Sequence, residues 1–185
     1  IVTTAHTLKF SATTWSNRVA GDPVFSQGGL EAAENLTVSN ILSNFAERRV
    51  INFNTIISSD DPTTCNAIKR LLESTGDTTE NSPAIINVYK GSYRHVVLPY
   101  LATTATGARD ATKRFWWFLG ATGIGTMGWQ AYFGEWEAPH LTATPKEGNN
   151  GEDPHNDNWF YNVRMGYGIV AVSGRGIIGS LPSSS

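Results

Sequence analysis

Arg49-Val50-Ile51-Asn52-Phe53-Asn54-Thr55-Ile56-Ile57, followed at once by Ser58-Ser59-Asp60-Asp61-Pro62, carries the two clearest local signals in the chain. In the first stretch Ile51, Phe53, Thr55 and Ile57 alternate with Val50, Asn52, Asn54 and Ile56, the period of a strand with one buried face. The second is a helix start. A short acidic or hydroxyl side chain caps the first free amides, and Pro62 has no amide to leave unpaired in the first turn. Ala67, Ile68, Leu71 and Leu72 then recur at helical spacing, so the sequence predicts a helix over 62–73.

Outward from this centre the chain is mostly β-prone. Residues 74–83 are polar and contain Gly76, Asp77 and Pro83, which predicts an exposed loop. Residues 84–104 are the longest β-prone stretch, with Gly91 marking a bulge or bend and Pro99 a strand edge or irregularity near its end. Arg114-Phe115-Trp116-Trp117-Phe118-Leu119 is too uniformly apolar for a half-exposed strand, so it is expected to be buried on both faces or to meet a partner. Trp129 to Trp136 reads as a further aromatic strand, 142–158 as a long Gly, Asn, Pro and acidic loop, and 159–172 as one or two strands. On the other side, Val38, Ile41, Leu42 and Phe45 have the spacing of a short helix, preceded by a possible single helical turn at 29–36. Residues 1–28 read as an extended arm and 179–185 as a flexible tail.

The 185 residues suit one domain. Apolar residues make up 40% and charged residues 16%, below the usual levels of about 45–50% and 25%, with Gly, Ser, Thr and Asn filling the difference. That mixture points to an all-β, turn-rich fold. Fourteen Lys and Arg against sixteen Asp and Glu give a net charge of −2, so no global field draws the chain to nucleic acid or to an anionic membrane. A single cysteine, Cys65, excludes an internal disulfide framework and a zinc knuckle. No apolar run is long enough for a transmembrane helix. The start at Ile1, without an initiator Met or a signal peptide pattern, reads as a product cut from a longer chain.

Candidate chemistry is sparse. Gly123-Ile124-Gly125-Thr126-Met127-Gly128 has the dinucleotide-binding spacing, but Trp129-Gln130-Ala131-Tyr132-Phe133 after it reads as a strand. Pyrophosphate needs the amides of a helix N-terminus at that point, so a glycine-rich β turn is the better account and no cofactor is expected. His140 and His155 lie among Glu135, Glu137, Glu152, Asp153 and Asp157 without the tight spacing of a metal motif, and no metal is expected. Cys65 as a nucleophile would need a base, for which His95 is the only central histidine; an inert thiol on the 62–72 helix is the plain reading. Glu135 and Glu137 alternate with Trp136 like any strand face, which makes them a poor glycosidase pair. The basic doublets Arg48-Arg49, Lys69-Arg70 and Lys113-Arg114 read as solvated element ends. Five of six tryptophans lie at 116, 117, 129, 136 and 159, and they suit a core, a subunit interface or an aromatic platform for sugar rings on Trp129 and Trp136.

Two stretches together resemble the capsid proteins of picornavirus-like viruses. Glu47-Arg48-Arg49-Val50-Ile51-Asn52-Phe53-Asn54-Thr55-Ile56 is similar to the basic-then-alternating strand that opens the jelly roll of that family. Ile85-Ile86-Asn87-Val88-Tyr89-Lys90-Gly91-Ser92-Tyr93-Arg94-His95-Val96 is similar to its aromatic-x-Gly-Ser strand, with Tyr89 at the usual aromatic and Gly91-Ser92 at the Gly-Ser. The resemblance covers residues 45–100 and implies an eight-stranded antiparallel jelly-roll sandwich with one or two short inserted helices. It further implies a non-enzymatic subunit of an icosahedral, pseudo T=3 shell, built with sister coat proteins around an RNA genome and away from membranes. Such a subunit resides in the virion and, during assembly, in the host cytoplasm. The chain length is nearest to the small coat proteins of plant secoviruses of the cheravirus-like kind. The family's Arg-rich tails have no counterpart here, which leaves direct RNA contact unsupported. The second reading of the residues is a carbohydrate-binding β-sandwich module using Trp129 and Trp136.

Overall fold

The computed structural model describes residues 2–76, 86–122, 128–132, 140–143, 161–164, 167–171 and 173–184, the strands between 128 and 171 by their backbone pairing. In chain order the elements are β1 (His6–Thr7), β2 (Thr14–Trp15), α1 (Gln27–Ser39), β3 (Phe53–Ser58), α2 (Pro62–Glu73), β4 (Arg94–Val97), β5 (Trp117–Ala121), β6 (Gly128–Tyr132), β7 (His140–Ala143), β8 (Tyr161–Arg164), β9 (Tyr167–Ala171) and β10 (Ile177–Ser180). They fall into two compact units, 1–127 with 173–185, and 128–172.

In the first unit α2 has the bounds that its capping sequence predicts. The Asp61 carboxylate accepts from the amides of Thr63 (3.1 Å) and Thr64 (3.4 Å), Pro62 opens the helix, and Ile68 and Leu71 are buried. The helix expected over 38–45 does not form. Instead α1 runs through the preceding stretch from the Ser26 cap, burying Leu30 and Ala33, and stops at Ser39. Its last turn is poor in helix formers, and Thr37 and Ser39 turn their hydroxyls back onto the carbonyls of Glu34 and Asn35, competing with the helix ladder. Ile41 is then buried from non-helical backbone, while Val38 and Phe45 face solvent.

The central sheet has the order β10-β5-β3-β4. Its core face reads directly from the registers: Ile178, Leu119 and Ile56 form one cross-strand row and Ser180, Trp117 and Ser58 the next. All six are buried. The two serines leave room for the indole between them, and Trp117 Nε1 and Ser180 Oγ both donate to the carbonyl of Pro23, at 3.0 and 2.7 Å. Each large side chain in these rows contributes about 1.5–3 kcal/mol of burial. The uniformly apolar stretch 115–119 thus becomes the inner strand β5. The alternation in β3 breaks at a register shift between Phe53 and Thr55, so Ile56 and Ser58, not Ile57, complete the buried rows.

Three expectations are corrected here. First, β3 and β4 are parallel, with Thr55 opposite Arg94 and Ser58 opposite Val97. The described residues are mostly sheet with two helices and no closed barrel, and this parallel pair, bridged by α2, is foreign to an all-antiparallel jelly roll. A helix after β3 carries the chain back to the sheet's starting end, so the next strand enters in the same direction. Second, among the described residues of the β-prone 84–104 stretch, 94–97 alone form a strand. Asn87 side-chain Nδ2 donates to the carbonyls of Leu71 and Ser74, Gly91 takes a positive φ of 70°, and Pro99 starts a 3-10 turn over Pro99–Ala102. Tyr89 and Tyr93 both donate their hydroxyls to the Glu34 carboxylate, fixing this turn to α1, and burial beside that carboxylate pushes the Tyr93 hydroxyl pKa up. Third, the first 28 residues pack against the body: Leu8, Trp15, Val19 and Phe25 are buried, and β1 pairs with β2. Asn17 is fully buried, its Nδ2 donating to the carbonyls of Gly174 (3.0 Å) and Ile177 (2.9 Å) while its Oδ1 accepts from the Thr3 amide (2.9 Å). Strand β10 reaches Ser180, inside the stretch expected as a tail.

In the second unit β6 pairs with β9 and β7 with β8, both antiparallel. The stretch 159–172 thus supplies two strands.

Candidate subunit interface at the sheet edge

An outer strand presents unpaired amides and carbonyls, and proteins ordinarily cover them. The β10 edge is covered from within: the Val19 amide donates to Gly179 O and the Gly179 amide to Asn17 O, both at 2.9 Å, so residues 17–19 lie along it like a further strand. Among the described residues the sheet ends at β4 on the other side.

The β4 edge has the composition of a contact surface. Val97 is 41% exposed, Leu98 46% and Tyr100 88%, and Arg94 stands at the start of the strand, also exposed. The 3-10 turn opened by Pro99 holds Tyr100 outward beyond the strand. Elsewhere in the same unit, Phe10 and Phe45 stack at 4.9 Å between ring centroids, both exposed, and Val50, Ile86 and Val88 are exposed as well.

Beneath the edge lies the pair that the sequence singled out as a conceivable nucleophile and base. Ser58 stands between them, its Oγ 2.9 Å from His95 Nε2 and 3.8 Å from Cys65 Sγ. The Ser58 hydroxyl has both the Ser59 carbonyl (2.9 Å) and His95 Nε2 within reach, the imidazole tautomer setting which of Ser58 and His95 donates, and the Cys65 thiol donates to Ser59 O (3.3 Å). The Cys65 thiol thus has its proton directed at a backbone carbonyl and not at a base. Burial, helped by the nearby Lys69, holds the His95 pKa below its ordinary value, which keeps the ring neutral and hydrogen-bonded to the sheet. The arrangement pins β4 to β3.

The other sequence candidates fare differently. Gly128 opens a strand and not a helix, which removes the dinucleotide reading. Trp129 lies in β6, opposite Val170, and His140 in β7, opposite Arg164. Trp136, His155, Glu135, Glu137, Glu152, Asp153 and Asp157 lie outside the described residues. Among the described residues no group of three or more His, Cys, Asp or Glu could hold a metal, and no helix is long and apolar enough to cross a membrane. Of the basic doublets, Arg48 and Arg49 are exposed, Lys113 pairs with Asp110 at 3.1 Å, and Arg114 lies 3.9 Å from Asp61. The exposed apolar set at 97–100 was not singled out from the sequence; its signal was a β-prone run ending at a proline, which marked the edge but not its exposure.

No curated protein and no solved structure matches this chain. The family described as phage capsid protein matches residues 6–179, from β1 into β10 and so through both units. The resemblance drawn from residues 45–100 therefore pointed to the right class, a viral capsid protein, and to the wrong viruses, since the matched family is a phage family and not a picornavirus-like one. The chain belongs to the phage capsid protein family.

Proposed function

We propose that the chain is a non-catalytic structural subunit that assembles in many copies into a phage shell and resides in the virion. The family match over residues 6–179 carries this reading. The exposed apolar side chains beside the β4 edge, and a Cys65 thiol that donates to the backbone, support it. Assembly in the host cytoplasm follows from the same reading. A pseudo T=3 arrangement with sister jelly-roll proteins around RNA rests on the residues 45–100 resemblance alone, and the parallel pairing of β3 with β4 argues against its jelly-roll part.

Sedimentation of the protein from its native source, followed by electron microscopy of the heavy fraction, tests the proposal. Recovery in regular shells containing many copies of the 20.1 kDa chain is the expected result. Recovery only as a light monomer overturns it. The nucleic acid extracted from such particles, and the number of different coat chains in them, decide the finer points.

A further inference from the structure

Among the described residues no strand pairs with the outer edge of β4, and the backbone geometry of the strand defines how that edge can be used. The Leu98 amide donates to Ser58 O at 2.8 Å, toward β3. Within a strand, alternate residues turn both amide and carbonyl to the same neighbour, so Val96 and Arg94 also face β3. His95 and Val97 turn theirs outward. Two residues with outward-facing groups, separated by one, suit an antiparallel neighbour, which exchanges paired hydrogen bonds with alternate residues.

We propose that two copies of the chain join edge to edge through β4 in an antiparallel, two-fold pair centred on Val96, which extends the sheet across the contact. Strand β4 is short, and its own sequence is self-complementary in this register. His95 of one copy lies opposite Val97 of the second, each pair exchanging both backbone hydrogen bonds, and Arg94 lies opposite Leu98. The side chains stay on matching faces, because residues directly opposite in an antiparallel pair share a face. The two Arg94 guanidinium groups fall at opposite ends of the contact, so like charges do not meet. Tyr100 and Leu98 project beyond the strand at each end, where they reach the second copy's surface.

A second copy is the chosen occupant for two reasons. A shell subunit always meets other copies of itself, and a two-fold contact requires one patch to fit itself, which β4 does. The covered β10 edge adds to this: the chain closes one edge of the sheet with its own residues 17–19 and leaves apolar side chains beside the other. This inference rests on the shell-subunit reading.

The experiment uses assembled particles of a Cys65→Ser, Val96→Cys variant under oxidising conditions. Directly opposed residues of a non-hydrogen-bonded antiparallel pair have Cα atoms about 4.5 Å apart, within disulfide range. A disulfide-linked dimer of about twice the chain mass is expected, with little from Cys65→Ser, Val97→Cys, whose cysteine faces His95 of the second copy and not itself. In unmodified protein, hydrogen exchange at the His95 and Val97 amides should slow about tenfold or more on assembly. That measurement keeps the proposal testable where the cysteine variants fail to fold. Particles that form with no Val96 cross-link, or with these two amides unprotected, overturn the edge pairing and leave the capsid reading standing. Where the Val96→Cys variant folds and assembles, protection of the amides without its cross-link also overturns it, because another strand then occupies the edge. Absence of particles from the unmodified protein overturns the capsid reading itself.

Discussion

His95 is the residue at which the sheet edge becomes sensitive to its surroundings. It stands at the end of the buried row Ile178, Leu119, Ile56, and its ring is held by Ser58 where an aliphatic side chain would continue the core. Burial first, and Lys69 second, lower its pKa from 6.5. A lowered value means that the folded protein resists protonation while the unfolded chain accepts it. The stability contributed by the neutral ring is therefore complete above about pH 7 and is lost as pH falls from 6.5 through the lowered folded value. Urea midpoints measured between about pH 8 and pH 4 should show that descending limb, and His95→Gln, which retains a hydrogen-bonding amide, should shrink it. A limb of unchanged size in the variant would assign the fall to other groups.

At the level of elements, α2 is the part that the sequence specifies most fully, because its start is written in side-chain chemistry and needs no tertiary contact. Asp61→Ala removes the acceptor for two amides and should cost about 1–2 kcal/mol in chemical denaturation. Asp61→Asn keeps an oxygen for those amides and should cost clearly less. The ion pairs of Asp61 with Arg109 and Arg114 add little to this difference, since both arginines are substantially exposed and the closer contact is 3.4 Å. Other elements were harder to read. The 38–45 stretch has helical spacing, yet the Ser43 hydroxyl accepts from the Phe45 and Glu47 amides and Ile41 is buried from non-helical backbone. The direction of β4 is invisible in its residues, because Arg94-His95-Val96-Val97 alternates identically whether its neighbour runs with it or against it. The same blindness limited the site. Pro99 marked an irregular strand end, but only the sheet order shows that β4 is the outermost strand of this sheet among the described residues. In contrast, the burial of Trp117 and Leu119 was legible from an apolar run too uniform for a half-exposed strand.

For the whole molecule, the unit formed by 128–172 lies within the connection from β5 to β10. Those two strands are adjacent, with Gly120 opposite Ile177, and the Ala121 amide bonds to Gly176 O at 2.9 Å, so the connection leaves and returns at nearly the same place. Replacing residues 123–172 by a short Gly-rich turn should leave the first unit folded with a cooperative denaturation transition, because a hairpin connection needs only a few residues. A non-cooperative transition in that variant would make the inserted unit part of the folding core. The buried Asn17 has a consequence for biosynthesis. Its side chain binds carbonyls 157 and 160 positions later, and the strand beside it, β10, follows every other described strand in the chain. At about 5–20 residues per second on a ribosome, Leu8, Trp15 and Val19 wait roughly 10–30 s for the segment that seals them. Throughout that interval the nascent chain presents these apolar residues to chaperones, and no subunit can complete its sheet before residues 177–180 have been made.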